Sequence, residues 1–303
     1  MPKPPSREIM RGLFISGERI TGSVVLALKL LHPLPPYNFM GLEDQDYKKA
    51  RFVVLPVPFD STASFGTGQR NGPHALINAS RYIEFYDEEL GFKPCDAGIF
   101  TTEELEPCRG DAKETVRRVK YEVGRIAADN KFPIVFGGDH LVSLGAVQAL
   151  KPDSILVIDA HPDDYDEFEG SKYDHATWAK RASEVAKTVV VVGCRSIRAP
   201  GTKNIFGSNF DGKKVLSLLK GRVYVSVDLD GFDPSIMPAV GTAEPNGLTW
   251  KQGLSLLEKV FAKNNVVGFD LVELMPIPGM DAPNSVAARL AYKMVGFAAR
   301  KKK

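Results

Sequence analysis

The amino-acid sequence predicts an α/β protein, a mostly parallel sheet covered by helices on both faces. Three observations carry this expectation. Short apolar runs with β-branched residues alternate with stretches of helical spacing along most of the chain. No hairpin signal joins successive runs, so each must cross over before the next can pair in parallel. Finally, clusters of Asp and His sit just past three of these runs, where an open α/β sheet places its ligands.

Taken in order, Pro33, Pro35 and Pro36 close an N-terminal arm over residues 1–38, and the main body is expected over 39–303. Within the arm, Ser23 to Leu31 is apolar but far shorter than the roughly 20 residues of a membrane span, and a docking or oligomer contact is the expectation. Phe52 to Val57 reads as the first strand, followed by a loop of Gly and small polar residues from Phe59 to Pro73. Its Gly66-x-Gly68 lacks the third glycine spacing and the closing acidic residue of a dinucleotide site. Pro73 suits the first turn of a helix running through Phe85. Between Asp111 and Asn130, Val116, Val119, Val123 and Ile126 mark one helical face. The strand Pro133 to Phe136 follows, then a helix from about Leu141 to Leu150 and the strand Ser154 to Ile158. A loop from Asp163 to Asp174 leads to a helix from about Ala176 to Ala186 and the strand Thr188 to Val192. Val223 to Val227, Thr249 to Ala262, Val266 to Leu271 and Asp281 to Phe297 continue the alternation.

Composition narrows the function classes. With 39 basic and 37 acidic residues the net charge is +2, so no imbalance points to nucleic acid or a membrane surface. A 44% apolar, 25% charged chain of 303 residues is an ordinary globular composition able to bury a large core. Cys95, Cys108 and Cys194 are widely spaced and form no CxxC pair, which suits a reducing compartment, and a cytoplasmic protein is expected. Cys194 lacks an assigned partner histidine and is read as a buried thiol, not a nucleophile.

The chemistry gathers at Gly137-Gly138-Asp139-His140, Asp159-Ala160-His161-Pro162-Asp163 and Asp228-Leu229-Asp230. In extended backbone the i, i+2, i+4 spacing of Asp159, His161 and Asp163 turns them to one side. One Asp at a strand end is usually a cap. Six such donors after three strands, two of them among only five histidines, read instead as a site for two metal ions. Oxygen-rich ligation with some imidazole and no thiolate favours manganese, then zinc or iron. Four carboxylates balance two divalent ions, so an added hydroxide leaves the centre slightly anionic and receptive to a cationic substrate.

These three blocks, the last continuing as Ser226-Val-Asp-Leu-Asp-Gly-Phe-Asp-Pro234, resemble the signature blocks of the ureohydrolases, the arginase and agmatinase family. The loop 59–73, the segment Gly241-Thr242 to Thr249, Asp270 to Glu273 and Ala287 to Leu290 match too, so the resemblance spans about residues 39–297. It implies a three-layer αβα sandwich on an eight-stranded sheet, assembly into trimers or hexamers, and two Mn²⁺ per subunit. Asp159 and Asp228 would bridge the ions, His140 and Asp163 complete one, and His161 and Asp230 the other. Water activated by the pair would attack the guanidinium carbon, giving urea and an amine. His175 matches the family's proton-shuttling histidine, Glu273 the glutamate that pairs with the guanidinium, and Asp163 would help orient the attacking water.

Substrate choice is expected in the loop after Asp163. The Asn and the Ser-Gly-Asn stretch that arginases carry there are missing, and Gly170, Tyr173, His175-Ala176-Thr177 and Arg181 resemble the agmatinase version. Asp164, Asp166, Glu167 and Glu169 would favour the ammonium of agmatine, with Asp164 and Asp166 as substrate contacts. Departures keep other readings open: Ala243-Glu244-Pro245 replaces the usual Gly-Thr-Pro, and Lys172, Lys180, Arg181 and Arg198 would suit a carboxylate-bearing substrate such as arginine or guanidinobutyrate. A catalytically silent, oligomeric metal-binding relative is the reading from another class.

Overall fold

The computed structural model describes residues 33–196 and 203–300. The apolar run 23–31 of the expected arm and Arg198 lie outside the described residues. The compact body begins at Pro35. Among the described residues no helix is long and apolar enough to cross a membrane.

Among the described residues eight strands, β1 (Phe52–Val57), β2 (Ile99–Thr101), β3 (Phe132–Gly137), β4 (Ser154–Ile158), β5 (Thr188–Val192), β6 (Ile205–Phe206), β7 (Arg222–Asp228) and β8 (Asn265–Val272), form one sheet in the order β2-β1-β3-β8-β7-β4-β5-β6. Every pairing is parallel. All eight strands therefore end at the same edge, and the four central ones deliver the chemically active clusters there.

Among the described residues seven helices cover the sheet: α1 (Gly72–Ser80), α2 (Ala112–Ala128), α3 (Val142–Leu150), α4 (Trp178–Ala182), α5 (Gly212–Leu218), α6 (Trp250–Lys263) and α7 (Ala282–Ala299). Strand side chains alternate between two apolar cores. Val54, Phe136, Leu156 and Val225 pack with Leu76 of α1, Leu257 of α6 and Leu290 of α7. Val53, Val135, Val157 and Tyr224 pack on the other face with Val119 of α2, Leu144 of α3 and Trp178 of α4. The result is an αβα sandwich, whose strands are apolar on both faces because both are covered. The expected α2 face is buried in full, and each such aliphatic side chain contributes about 1.5–3 kcal/mol. Asp111 caps α2 through the amide of Glu114, and Thr249 with Gln252 forms a reciprocal cap on α6.

Three departures from the sequence reading have local causes. Helix α1 stops at Ser80 instead of Phe85, where the Ser80 hydroxyl donates to the Ile77 carbonyl and accepts from the Met40 amide. The helix expected over 176–186 is a 3₁₀ turn, His175–Thr177, leading into the short α4; Asp174 and Thr177 cap the turn reciprocally. Strands β2 and β6 and helix α5 are too short to show as periodic runs.

Candidate metal centre

Close backbone approach fixes the turns that carry the donors. A Cβ on Gly138 would lie 1.8 Å from the Phe59 carbonyl oxygen, and one on Gly231 2.7 Å from the Asp159 nitrogen, so only glycine lets these segments meet. Gly138 N–H donates to Val57 O and Asp139 N–H to Phe59 O, pinning His140 beside β1. Asp163 and Glu273 have left-handed backbones, φ 47° and 66°, which non-glycine residues hold only when their surroundings enforce it. For Asp163 the restraints are its carbonyl, which accepts from Ala179 N–H, and its Oδ2, which accepts the Trp178 indole N–H at 3.0 Å. For Glu273 they are its N–H to Gly138 O at 2.7 Å and its Oε1, which accepts from His140 N–H at 2.8 Å.

The six donors expected from the sequence converge. His140 Nδ1 lies 3.1 Å from Asp159 Oδ2, 3.3 Å from Asp163 Oδ2 and 3.1 Å from Asp228 Oδ2. His161 Nδ1 lies 2.9 Å from Asp230 Oδ2 and 3.6 Å from Asp159 Oδ1. Asp159 thus belongs to both halves, with one oxygen toward each histidine. Its second-half partner Asp230 is held through its own N–H to Asp228 Oδ1 and its Oδ1 to Ala160 N–H.

Hydrogen bonding behind His140 settles which ring nitrogen faces the carboxylates. Its Nε2 is 2.9 Å from Ser226 Oγ, whose own proton goes to Asp270 Oδ1 at 2.7 Å. Ser226 therefore accepts from Nε2–H, and Nδ1 carries the lone pair. That lone pair and Asp159 Oδ2 are buried without a hydrogen-bond partner. A lone pair aimed at three carboxylates requires a cation between them. In the unmetallated chain the proton takes that place: burial disfavours the imidazolium, but the bonds to Asp159, Asp163 and Asp228 outweigh it and raise His140 well above its usual value. His161 behaves likewise, burial being overcome by Asp159 and Asp230, up to about 12. The donor chemistry fits two divalent cations sharing Asp159.

A cavity of about 230 Å³ opens over the cluster, lined by His161, Asp163, Asp228, Asp230, His175 and Glu273 among others. Burial, with Asp139 nearby, pushes the Glu273 carboxyl up to about 8. Burial lowers His175, but Asp174, 2.9 Å from its Nδ1, and the charges of Asp163 and Glu273 raise it to about 9. Thr62 ties the site together: its N–H and hydroxyl both donate to Asp139 Oδ2, and its Oγ1 accepts from His175 N–H. Burial pushes the Cys194 thiol up to about 12.

The loop after Asp163 departs from expectation. Tyr165 and Phe168 line the cavity, whereas Asp164 and Asp166 do not. Asp166 is exposed and bonded to Arg181, with Lys172 4.0 Å away, because those cations lie on the outer side of the loop. Arg181 and Lys172 are thereby engaged outside the cavity, and no lysine or arginine lines it among the described residues.

The sequence reading gave no role to Ser226, Asp270, Trp178, Thr62 or Arg195, although Ser226 and Asp270 open two of the matched blocks and Thr62 lies in a third. The Arg195 guanidinium donates to the carbonyls of Asp230, Phe232, Glu244 and Pro245, binding the Asp230 turn to the 241–246 segment.

An α/β protein with a candidate metal centre at the carboxyl edge of a parallel sheet is the class these features define. More particularly, the chain belongs to the arginase family, which it matches over residues 50–296. It is 39% identical to the N(1)-aminopropylagmatine ureohydrolase of Thermus thermophilus over 274 residues, 85% of this chain and 93% of that one. It is 33% identical to the agmatinase of Pyrococcus horikoshii over 282 residues, covering 86% and 96%. The crystal structure of agmatine ureohydrolase of Thermoplasma volcanium superposes with a TM-score of 0.79 at 29% identity, covering 87% of this chain and 94% of that one.

Proposed function

We propose that this protein hydrolyses a guanidinoalkylamine, first of all agmatine, to urea and the corresponding amine, putrescine from agmatine, with two Mn²⁺ ions per subunit. The observation that carries the reading is one cavity that opens onto the donor cluster through His161, Asp163, Asp228 and Asp230 and is lined by Glu273 and His175 as well. His140, Asp163, His161 and Asp230 would hold the ions, with Asp159 and Asp228 shared between them. Two divalent cations there supply the Lewis acidity that makes water nucleophilic near neutral pH.

The chain's own residues supply the rest. Glu273 offers a planar pair of oxygens to a guanidinium, whose arrival favours the ionised form of this otherwise raised carboxyl. His175, held protonated by Asp174, gives its proton to the leaving nitrogen as the C–N bond breaks. Asp163, locked by Trp178, orients the attacking water's proton. An amine-ended substrate is favoured over a carboxylate-ended one because the described cavity wall is acidic and aromatic, without Lys or Arg. A cytoplasmic homo-oligomer belongs to the same proposal.

The 39% identical relative named N(1)-aminopropylagmatine ureohydrolase supports a second reading, the aminopropyl-extended amine as substrate. Urea release from agmatine, N(1)-aminopropylagmatine, arginine and guanidinobutyrate by the Mn²⁺-loaded protein tests both. A higher kcat/KM for the extended amine moves the assignment to it, and preference for arginine or guanidinobutyrate overturns the amine-ended class. No urea from any of the four leaves a metal-binding scaffold.

A further inference from the structure

One wall of the cavity is aromatic. Phe65 comes from the loop between β1 and α1, and Tyr165 and Phe168 from the loop after Asp163. Tyr165 and Phe168 pack edge to face with centroids 5.3 Å apart, and Phe168 meets the His175 imidazole at 5.8 Å and 78°. Phe168 is thus committed to holding the ring of His175. Phe65 is different: it is 84% exposed, a phenyl ring left in water at the mouth of the cavity.

The carboxylates in the wall are already engaged. Asp163, Asp228 and Asp230 surround the histidines, and Glu273 faces the guanidinium in the reading above. Asp166 is bonded to Arg181 outside the cavity. The far end of a guanidinoalkylamine therefore meets rings before it meets a carboxylate of its own.

We propose that Phe65 and Tyr165 select the substrate's distal cation by presenting aromatic faces to it. Ring faces carry negative electrostatic potential, so they attract an ammonium and disfavour a carboxylate. They make no demand on the number of N–H donors, so a secondary ammonium carrying a further aminoalkyl chain is accepted as readily as a primary one. The substrate class is guanidinoalkylamines with a free or N-extended distal amine. This inference rests on the guanidino-hydrolase reading.

The test pairs agmatine with 1-butylguanidine, which has the same guanidine and four-carbon chain but a neutral end. Phe65→Leu and Tyr165→Leu keep apolar bulk and remove the ring. In the Mn²⁺-loaded protein each variant is expected to lower the agmatine-over-butylguanidine ratio of kcat/KM by about two- to fivefold. A ratio equal to wild type, or equal losses on both compounds, overturns the proposal, because simple packing affects the two alike. If wild type releases no urea from this pair, nor from N(1)-aminopropylagmatine, arginine or guanidinobutyrate, the hydrolase reading fails. Calorimetric Kd values for the unreacted pair then decide the aromatic wall by the same ratio.

Discussion

Replacing Ser226 by Ala tests how the chain presents a metal-ready His140. Ser226 and Asp270 face each other in register on β7 and β8, and both are fully buried. The hydroxyl accepts from His140 Nε2–H at 2.9 Å and donates to Asp270 Oδ1 at 2.7 Å. Without it, Nε2–H is buried with no acceptor, which costs about 1–3 kcal/mol. Asp270 keeps the Tyr224 hydroxyl at 2.8 Å and the Val227 N–H at 3.3 Å, so its loss is the smaller part. The metal-free variant should melt about 2–12 °C below wild type, from about 2–4 °C per kcal/mol in a large domain. Freed from its restraint, the ring should also bind Mn²⁺ about 10–100-fold more weakly, the usual cost of removing a partner behind a metal-ligating histidine. Asp270→Asn sharpens the test. An amide there can donate to Ser226, which lets the serine proton turn toward Nε2 and forces the imidazole proton onto Nδ1. This near-isosteric change should impair Mn²⁺ binding at least as much as Ser226→Ala. Calorimetric Mn²⁺ titration and thermal melting read both effects. Wild-type metal affinity in the two variants would refute the tautomer argument.

Asp163→Asn and Asp230→Asn each remove a cluster charge, and both should lose Mn²⁺ by elemental analysis together with most urea release. His175→Ala should retain both ions while kcat falls by about 10²–10⁴, the span of a general acid; an unchanged rate removes His175 from the mechanism. Asp174→Asn weakens the contact that raises His175, so the alkaline limb of the kcat profile should move to lower pH. The linkage has a definite sign. A folded-state pKa of about 9 against the ordinary 6.5 means that protonated His175 stabilises the fold fully below pH 6.5 and loses that contribution as pH rises toward 9. Melting temperatures of the Asn variant should therefore converge on those of wild type above pH 9.

Why the donors were legible and their supports were not follows from what each residue does to the local pattern. β1, β4 and β5 end where their apolar runs end, because strands covered on both faces read as unbroken hydrophobic stretches. A polar residue just past such a run stands out, and all six donors occupy such positions. Ser226 and Asp270 lie inside β7 and β8, where one polar residue barely interrupts a run of Val, Phe and Leu. A usable signal was present nonetheless: a carboxylate within a fully buried strand must be hydrogen-bonded, and only a polar residue on a neighbouring strand can do it. Which strands neighbour β8 depends on sheet order: the order β3-β8-β7-β4 sets it between β7, whose Ser226 lies 44 residues from Asp270, and β3, more than a hundred residues away in sequence. The acidic loop after Asp163 illustrates the opposite hazard. Its charge suggested contact with a cationic substrate, but a charge run records solvation unless geometry turns it inward. Here Phe168 and Ser171 exchange backbone bonds, Tyr165 N–H bonds Ala176 O, and Asp166 is carried outward to Arg181. The loop's aromatic residues, unremarkable in sequence beside four acids, are the ones its fold turns toward the chemistry.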